Sequence, residues 1–500
     1  MASTALRDVI VTKPTTRSRR IGSVEELANS FLDCVELGSY QLPNGSWEMK
    51  LEQPKLRRDA FENQNGFPPG PVEKFDFVAT QRDPLNFLLD LTERYGDLVR
   101  YETSYGPTYL VNDPEHVGHV LGNANYPRGS LLRMVLGDGL LASEGEYWRR
   151  QRRMVQPDFH HHRIAEFAPV ITGATLKMLD RWRPRASTGE PIELASEMAR
   201  LTLDIIIDAL FSGDLNEQAE SLREAVTPLM VDIGTIVCTQ FGSPLSISRS
   251  RNAHFQQTLQ IVDRIVYKAI HQRRQRPGGK DLLELLLSAR DENGEGLDDR
   301  QVRDEVVTFV FAGSETSSIM LGWTWYVLGL YSESEWRLKA ELDAVLDGRM
   351  AEFRDLPELK YTRMVIEEAM RLYPPVWSIF RQAAAEDVLG GYTVTAKASM
   401  VVCPYTIHRN PRYWPDPNRF DPERFEPKVS ATRPRNAYLP FGGGRHVCLG
   451  SHFAMMEGQL AVATIAQRYR LRLVPGHRVE PHPLVTLRQR QGILATLEER

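Results

Sequence analysis

The run Phe441-Gly-Gly-Gly-Arg-His-Val-Cys448-Leu-Gly450 places one thiol inside a glycine-rich loop that opens an apolar helix over residues 451–469. Backbone N–H groups converging at the positive end of that helix would lower the thiol pKa and steady a thiolate. Such a sulfur is a metal ligand. An exposed cysteine on a glycine turn is a liability in a fold without redox chemistry, so the loop predicts a covering cofactor, with haem iron the natural candidate. The same glycines could cradle a phosphate, but no Gly-Lys-Ser/Thr follows and no parallel strand–loop–helix unit precedes them.

A second chemical signal is Phe309-Val-Phe-Ala-Gly-Ser-Glu315-Thr316-Ser-Ser, the centre of a long apolar helix over residues 298–331. A carboxylate in such a segment is costly unless it is used or paired. Two readings stand. In one, this is a core helix with a satisfied polar patch, Thr316 bonding back to the carbonyl of Ala312. In the other, Gly313 and Thr316 loosen the helix so that a small gas binds beside a proton source, as oxygen activation requires. A membrane span is disfavoured because Glu315 interrupts the segment and the uninterrupted remainder, residues 319–331, has core-helix length.

A third is Glu368-Ala-Met-Arg371, an acid and a base on one helix face. Exposed, the pair would be worth only about 0.2–0.5 kcal/mol. Pro374-Pro375 stops the helix directly afterwards and starts an extended segment over residues 376–381, so the pair sits at a chain reversal. In the proline-pinned stretch beyond, Arg424 could complete an ionic cluster with Glu368 and Arg371.

The elements that must position these groups are mostly helical. Apolar spacing predicts helices over residues 164–182, 192–211 and 255–276, with a β-hairpin at 98–102 and 108–111 and strands returning near 392–402. Pro68-Pro69-Gly70-Pro71 marks the entry to a single body that no repeat or linker divides. Residues 1–67 read as an N-terminal extension, partly disordered, with one short helix after the capping box Ser23-Val-Glu-Glu26. Composition excludes several classes. Lys and Arg total 61 against 65 Asp and Glu, a net charge of −4, which offers no footprint for nucleic acid. The four cysteines are widely separated, which disfavours a disulfide framework or structural zinc and fits a reducing compartment. The basic first twenty residues hold no apolar run long enough for a signal or anchor; a bacterial cytoplasmic protein is expected, with mitochondrial import the minor alternative.

Together the motifs resemble the cytochrome P-450 family of haem-thiolate monooxygenases, in its soluble bacterial form. The resemblance covers residues 68–500 and rests on five motifs in order: Trp148-Arg-Arg-Gln-Arg152, Ala312-Gly-Ser-Glu-Thr316, Glu368-x-x-Arg371, Pro422-Glu-Arg-Phe425 and Phe441-x-x-Gly-x-x-x-Cys448-x-Gly450. It implies a mainly α fold with small β-sheets and one large haem-binding domain over residues 68–500.

The resemblance also implies residue roles. Cys448 would be the proximal ligand of haem b, iron protoporphyrin IX. The ion cluster Glu368, Arg371 and Arg424 would hold its loop, and Ala312, Phe441, Gly442 and Gly450 would contact the cofactor. Trp148, Arg152, Arg381 and His446 would reach the haem propionates, which need cationic or hydrogen-bonding partners when buried; His446 stands where many relatives carry Arg. Thr316 and Glu315 would be catalytic, Thr316 stabilising bound oxygen and Glu315 relaying protons. The implied function is insertion of one atom of O2 into a lipophilic substrate, by hydroxylation or epoxidation. Peroxide-driven oxidation and a non-catalytic haem-thiolate ligand or gas carrier are the alternatives.

Electrons would come ultimately from NAD(P)H through an external reductase and a ferredoxin or flavodoxin. The helix carrying Arg149, Arg150 and Arg153, with Arg445, could form the positive patch on which an acidic donor docks, or simply be a solvated charged face. By analogy the substrate pocket would draw on residues 127–140, 229–250, 376–380 and 484–487, with Phe311, Ala312, Val376, Ile379, Val485 and Thr486 as lining and Arg133 as an anion anchor.

Overall fold

The computed structural model describes residues 66–76, 80–129, 132–159, 161–212, 217–240 and 249–500. The expected helix after Ser23 lies outside them. Five helices build the region around the chemical motifs: α1 (Gly145–Val155), α2 (Leu194–Phe211), α3 (Asp299–Leu330), α4 (Lys360–Leu372) and α5 (Ser451–Arg468).

Helix α3 starts where Asp298 and Gln301 cap each other: the Asp298 carboxylate accepts the Gln301 N–H at 2.8 Å, and the Gln301 amide oxygen accepts the Asp298 N–H at 3.0 Å. It is apolar on nearly every face and lies in the core accordingly. Its glycine at 313 brings α2 close, since a β-carbon there would stand 3.2 Å from the Ile206 methyl. Thr202 on α2 then donates to the Ser314 carbonyl at 2.8 Å. Helix α5 packs on the other side, with Gly458 against Met320.

The main sheet has the order β1 (Lys74–Phe75), β2 (Leu98–Thr103), β3 (Gly106–Val111), then β5 (Ser399–Val402) and β4 (Ile379–Gln382). β2 and β3 form the expected hairpin, while β3 and β5 run parallel with Thr108 opposite Ser399. A second hairpin joins β6 (Pro481–Pro483) to β7 (Leu487–Gln489).

Tertiary pairing moved several boundaries. Ile192 and Glu193, expected in a helix, pair with Ala495 and Leu494 as a strand, and the Glu193 carboxylate caps α2 through the N–H groups of Ala195 and Ser196. Tyr469 leaves α5 because it pairs with Glu499 in the same C-terminal sheet. The strands expected together at 392–402 belong to two sheets: Tyr392–Val394 pairs with Asp387–Leu389, and β5 with β3 and β4. Strands also occur outside that window, in β4 and after residue 468.

Candidate active site

The cysteine loop is shaped by two left-handed glycines, Gly442 at φ 69° and Gly444 at φ 64°. At Gly444 a β-carbon would meet the Leu121 carbonyl oxygen at 2.1 Å, so glycine is required by contact as well as by conformation. The Cys448 N–H closes the loop on the Phe441 carbonyl at 3.0 Å, and α5 starts after Gly450. Cys448 is a free thiol on an exposed loop residue. The lowered pKa expected for it is reversed. Although the residue keeps solvent contact, the protein packed around its sulfur pushes the thiol up, and the Gly450 N–H and Arg152 offset this only in part. Desolvation outweighs the helix end here, and metal ligation is what removes such a proton.

Beneath the loop, the expected ion cluster assembles. Arg371 donates to Glu368 through Nε at 2.6 Å and Nη2 at 2.8 Å, with both side chains fully buried. Its remaining donors reach the carbonyls of His408, Pro417 and Arg419. Glu368 also accepts the Asp421 N–H at 2.9 Å, and Arg424 stands 3.4 Å away. The connection to the cysteine loop runs through His408. Burial and the Arg371 charge hold this imidazole well below its ordinary pKa, so it is neutral. Its Nδ1 therefore donates to the Arg371 carbonyl at 3.2 Å, and its Nε2 accepts the Leu439 N–H at 2.8 Å. The Leu439 carbonyl in turn accepts the Gly442 N–H at 3.2 Å.

Cations gather on the other side of the loop. Trp148 on α1 lies against the His446 ring at 4.2 Å between centroids, and Arg152, one turn on, donates to the Val447 carbonyl at 3.0 Å. His446 faces Glu144 through Nε2 at 3.3 Å and leaves its buried Nδ1 without a partner. Burial would raise Glu144, but hydrogen bonds from His446 and Arg128 prevail and hold it at about 2. Arg381 carries the strongest signal. It is buried, its Nη1 donates only to the Phe380 carbonyl, and no carboxylate pairs with it among the described residues. Burial and neighbouring Arg128 depress it to about 10 against the opposing pull of Glu144, so a guanidinium still charged at neutral pH lies in the interior without a direct carboxylate partner among the described residues. An anionic group fits there. Two propionates are what the haem of the sequence-based expectation brings.

Along α3, residues 302–325 are buried except for Ala312, Gly313, Glu315 and Thr316, so within that stretch it is at the acid–alcohol pair that the helix keeps some exposure. Thr316 donates to the Ala312 carbonyl at 2.7 Å, the local bond expected of a mid-helix hydroxyl. One oxygen of Glu315 accepts from Thr486 at 2.8 Å and from Arg488 at 2.6 Å, which brings the expected lining residue Thr486 to the acid. Val376 and Phe380 stay exposed at 40% and 37% although the chain around them is ordered against the sheet, and Ile379 approaches Gly442. Phe311 is buried and Val485 partly exposed. Arg133 is half-exposed and paired with Asp138 at 3.0 Å. Most side chains of the expected 229–250 segment lie outside the described residues.

The arginines of α1 are engaged within the chain: Arg149 with Glu146, Arg150 with Asp291 at 2.6 Å, and Arg153 with Glu292 at 3.2 Å. Arg445 has no carboxylate partner among the described residues. Sequence reasoning missed Arg128, Glu144, His408 and Arg488, whose partners are distant in the chain. It also missed Glu305 and Glu457, two carboxyls enclosed in helices and each with one oxygen unpartnered. Glu457 accepts from Ser317 at 2.6 Å and Glu305 from the Leu140 N–H at 3.1 Å; burial pushes each up to about 8.

A family model described as Cytochrome P450 matches residues 68–494. The chain belongs to the cytochrome P450 family. Among its relatives, the cyclooctat-9-en-7-ol 5-monooxygenase of Streptomyces melanosporofaciens is 39% identical over 420 residues, 82% of this chain and 90% of the relative. The cyclooctatin synthase of the same organism is 37% identical, covering 81% and 89%. The solved heme domain of cytochrome P450DA superposes with a TM-score of 0.76 at 24% identity, covering 83% of this chain and 93% of that one, which shows the fold. This P450 is a haem-thiolate monooxygenase, an oxidoreductase that uses haem and O2 on a small-molecule substrate with a redox partner. No helix among the described residues is long and apolar enough to cross a membrane.

The buried acids set the stability of the fold and its dependence on pH. Glu368→Gln leaves the Arg371 guanidinium uncompensated and should cost about 3–5 kcal/mol in urea unfolding. Glu305 and Glu457 keep their protons when folded to about pH 8, whereas the unfolded chain releases them near the ordinary value of 4.5. The folded state then binds more protons, so each contribution is fully present below pH 4.5 and is lost as the pH rises toward 8. Glu457→Gln should remove part of that slope, at most about 1.4 kcal/mol per pH unit, and gain stability relative to the parent between pH 5 and 8 in the same assay.

Proposed function

We propose that this P450 inserts one oxygen atom of O2 into a lipophilic terpenoid-class substrate, by hydroxylation or epoxidation. Electrons pass from NAD(P)H through a separate reductase and a ferredoxin or flavodoxin. The other oxygen atom leaves as water, which takes up two electrons and two protons. The reading is carried by α3: in a core helix buried on both sides of them, Ala312, Gly313, Glu315 and Thr316 keep some exposure, so the acid and the alcohol have an access that the rest of that stretch lacks. The terpenoid class is supported by the two Streptomyces relatives, whose names refer to cyclooctat-9-en-7-ol and cyclooctatin.

In this reading Cys448 is the iron ligand, Phe441, Gly442, Gly450 and Ala312 contact the macrocycle, and Arg381, Arg152, Trp148 and His446 hold the propionates. Residues 68–500 form the haem domain, residues 1–67 are an extension, and the protein works in a bacterial cytoplasm. When bound, the thiolate-ligated haem supplies the electron density that favours O–O cleavage. The chain supplies positioning and protons. Apolar walls exclude water from the pocket, Thr316 Oγ1 exchanges its bond to Ala312 for one toward the pocket, and Glu315 takes a proton from solvent and passes it on, ending unchanged. The donor docks at Arg445 on the thiolate side. It competes with Glu146 for Arg149 and with Glu292 for Arg153, and exposed pairs of this kind are weak.

The reduced protein with carbon monoxide should show the displaced main band of thiolate-ligated haem, and Cys448→Ala should lose it together with nearly all turnover. Thr316→Ala should retain the band and release most of its electrons as peroxide; coupling equal to the parent would remove Thr316 from the mechanism. Separately, Arg445→Glu should raise the ferredoxin KM about fivefold at low salt, an effect of about 1 kcal/mol that fades as ionic strength rises.

A further inference from the structure

The acid and the alcohol of the α3 pair are both occupied elsewhere. Thr316 donates to its own helix, and Glu315 gives one oxygen to two donors of the C-terminal hairpin, Thr486 Oγ1 at 2.8 Å and Arg488 Nε at 2.6 Å. That hairpin bridges the pocket walls. The Trp377 indole donates to the Leu484 carbonyl at 2.8 Å, the Leu487 N–H donates to the Pro375 carbonyl at 2.9 Å, and the Trp323 indole of α3 donates to the Leu487 carbonyl at 2.8 Å. Leu484 and Leu487 are thus anchored by their backbones. Between them, Val485 is partly exposed and Thr486 holds the acid.

We infer that Arg488 is a positioning residue that parks the Glu315 carboxylate on this hairpin, and that substrate reaching the tip shifts the side chains of Val485 and Thr486 on their anchored backbone, removes the Thr486 bond and so frees Glu315 to leave Arg488 for the proton path beside Thr316. The inference rests on the oxygenase reading above and adds to it a gate. Without substrate the acid stays on Arg488, and wasteful reduction of O2 is held back for want of protons. Each such cycle takes two electrons from the donor protein and two protons from solvent and converts O2 to H2O2. Arg488 touches neither substrate nor cofactor in this scheme; it acts through Glu315.

The test uses the full-length holoprotein without substrate, driven by a plant-type ferredoxin and its reductase. Arg488→Met should raise reductant consumption and peroxide release about fivefold, equivalent to about 1 kcal/mol at 1.4 kcal/mol per decade, and should change the solvent deuterium isotope effect. Arg488→Lys should restore the parent rate. Thr486→Val, which removes one bond and keeps the side-chain shape, should act in the same direction. Adding Glu315→Gln to Arg488→Met should abolish the gain. An unchanged rate in Arg488→Met, or a gain that survives Glu315→Gln, overturns the gate while leaving the oxygenase reading intact. That reading fails on a different measurement, the loss of the thiolate band from the parent protein's reduced carbon monoxide spectrum.

Discussion

The buried pair of Glu368 and Arg371 is the constraint on which the thiolate loop depends. With both groups at zero exposure, neither can be solvated, and every remaining donor and acceptor of the pair is spent on the irregular chain between His408 and Arg424. That stretch has little regular secondary structure, so its backbone groups need partners that no ladder provides. The pair supplies them, and neutral His408 carries the restraint on to Leu439 and Gly442. A buried ion pair is poor evidence of net stability. Its role here is geometric, because it fixes where the loop of Cys448 begins.

The opposite side of the loop has the inverse imbalance. Glu144 answers Arg128 and His446, yet Arg381 and Arg152 face the site with only neutral oxygens as acceptors. A depressed arginine pKa is the mark of unpaid desolvation, and in a protein of net charge −4 such an excess must be local. These cations suit a dianionic partner, and the Cys448 thiol, pushed up by burial, suits a metal that would take the place of its proton.

What could be seen in the sequence was whatever is coded locally. The glycines around Cys448, the spacing of Glu368 and Arg371 before two prolines, and the acid–alcohol pair inside an apolar helix are each contained within about ten residues. Thr316 bonding to Ala312 was legible for the same reason. Arg128, His408 and Arg488 were not, since an arginine or a histidine in a loop has no period to betray its partner; Arg488 meets Glu315 across 173 residues. The C-terminal strands show a further failure. Tyr469-Arg-Leu-Arg-Leu473 alternates as a strand should, but the preceding helical pattern absorbed its first residue.

Two of the acids of α3 stand in opposite surroundings. Glu305 is sealed beneath Leu140, has one oxygen unpartnered, and lies where desolvation favours its neutral form. Glu315, three turns on, is partly exposed and is met by a guanidinium. A group that must move protons repeatedly needs access to water and a partner it can leave; a sealed carboxyl held above neutral pH has neither. On this ground the proposed proton path runs through Glu315 and not Glu305, whose bond from the Leu140 N–H ties the loop before α1 to the helix. The same criterion sets Glu457 aside. It takes a hydrogen bond from Ser317, the neighbour of Thr316, but it is enclosed on all sides, so proximity to the alcohol does not make it a relay.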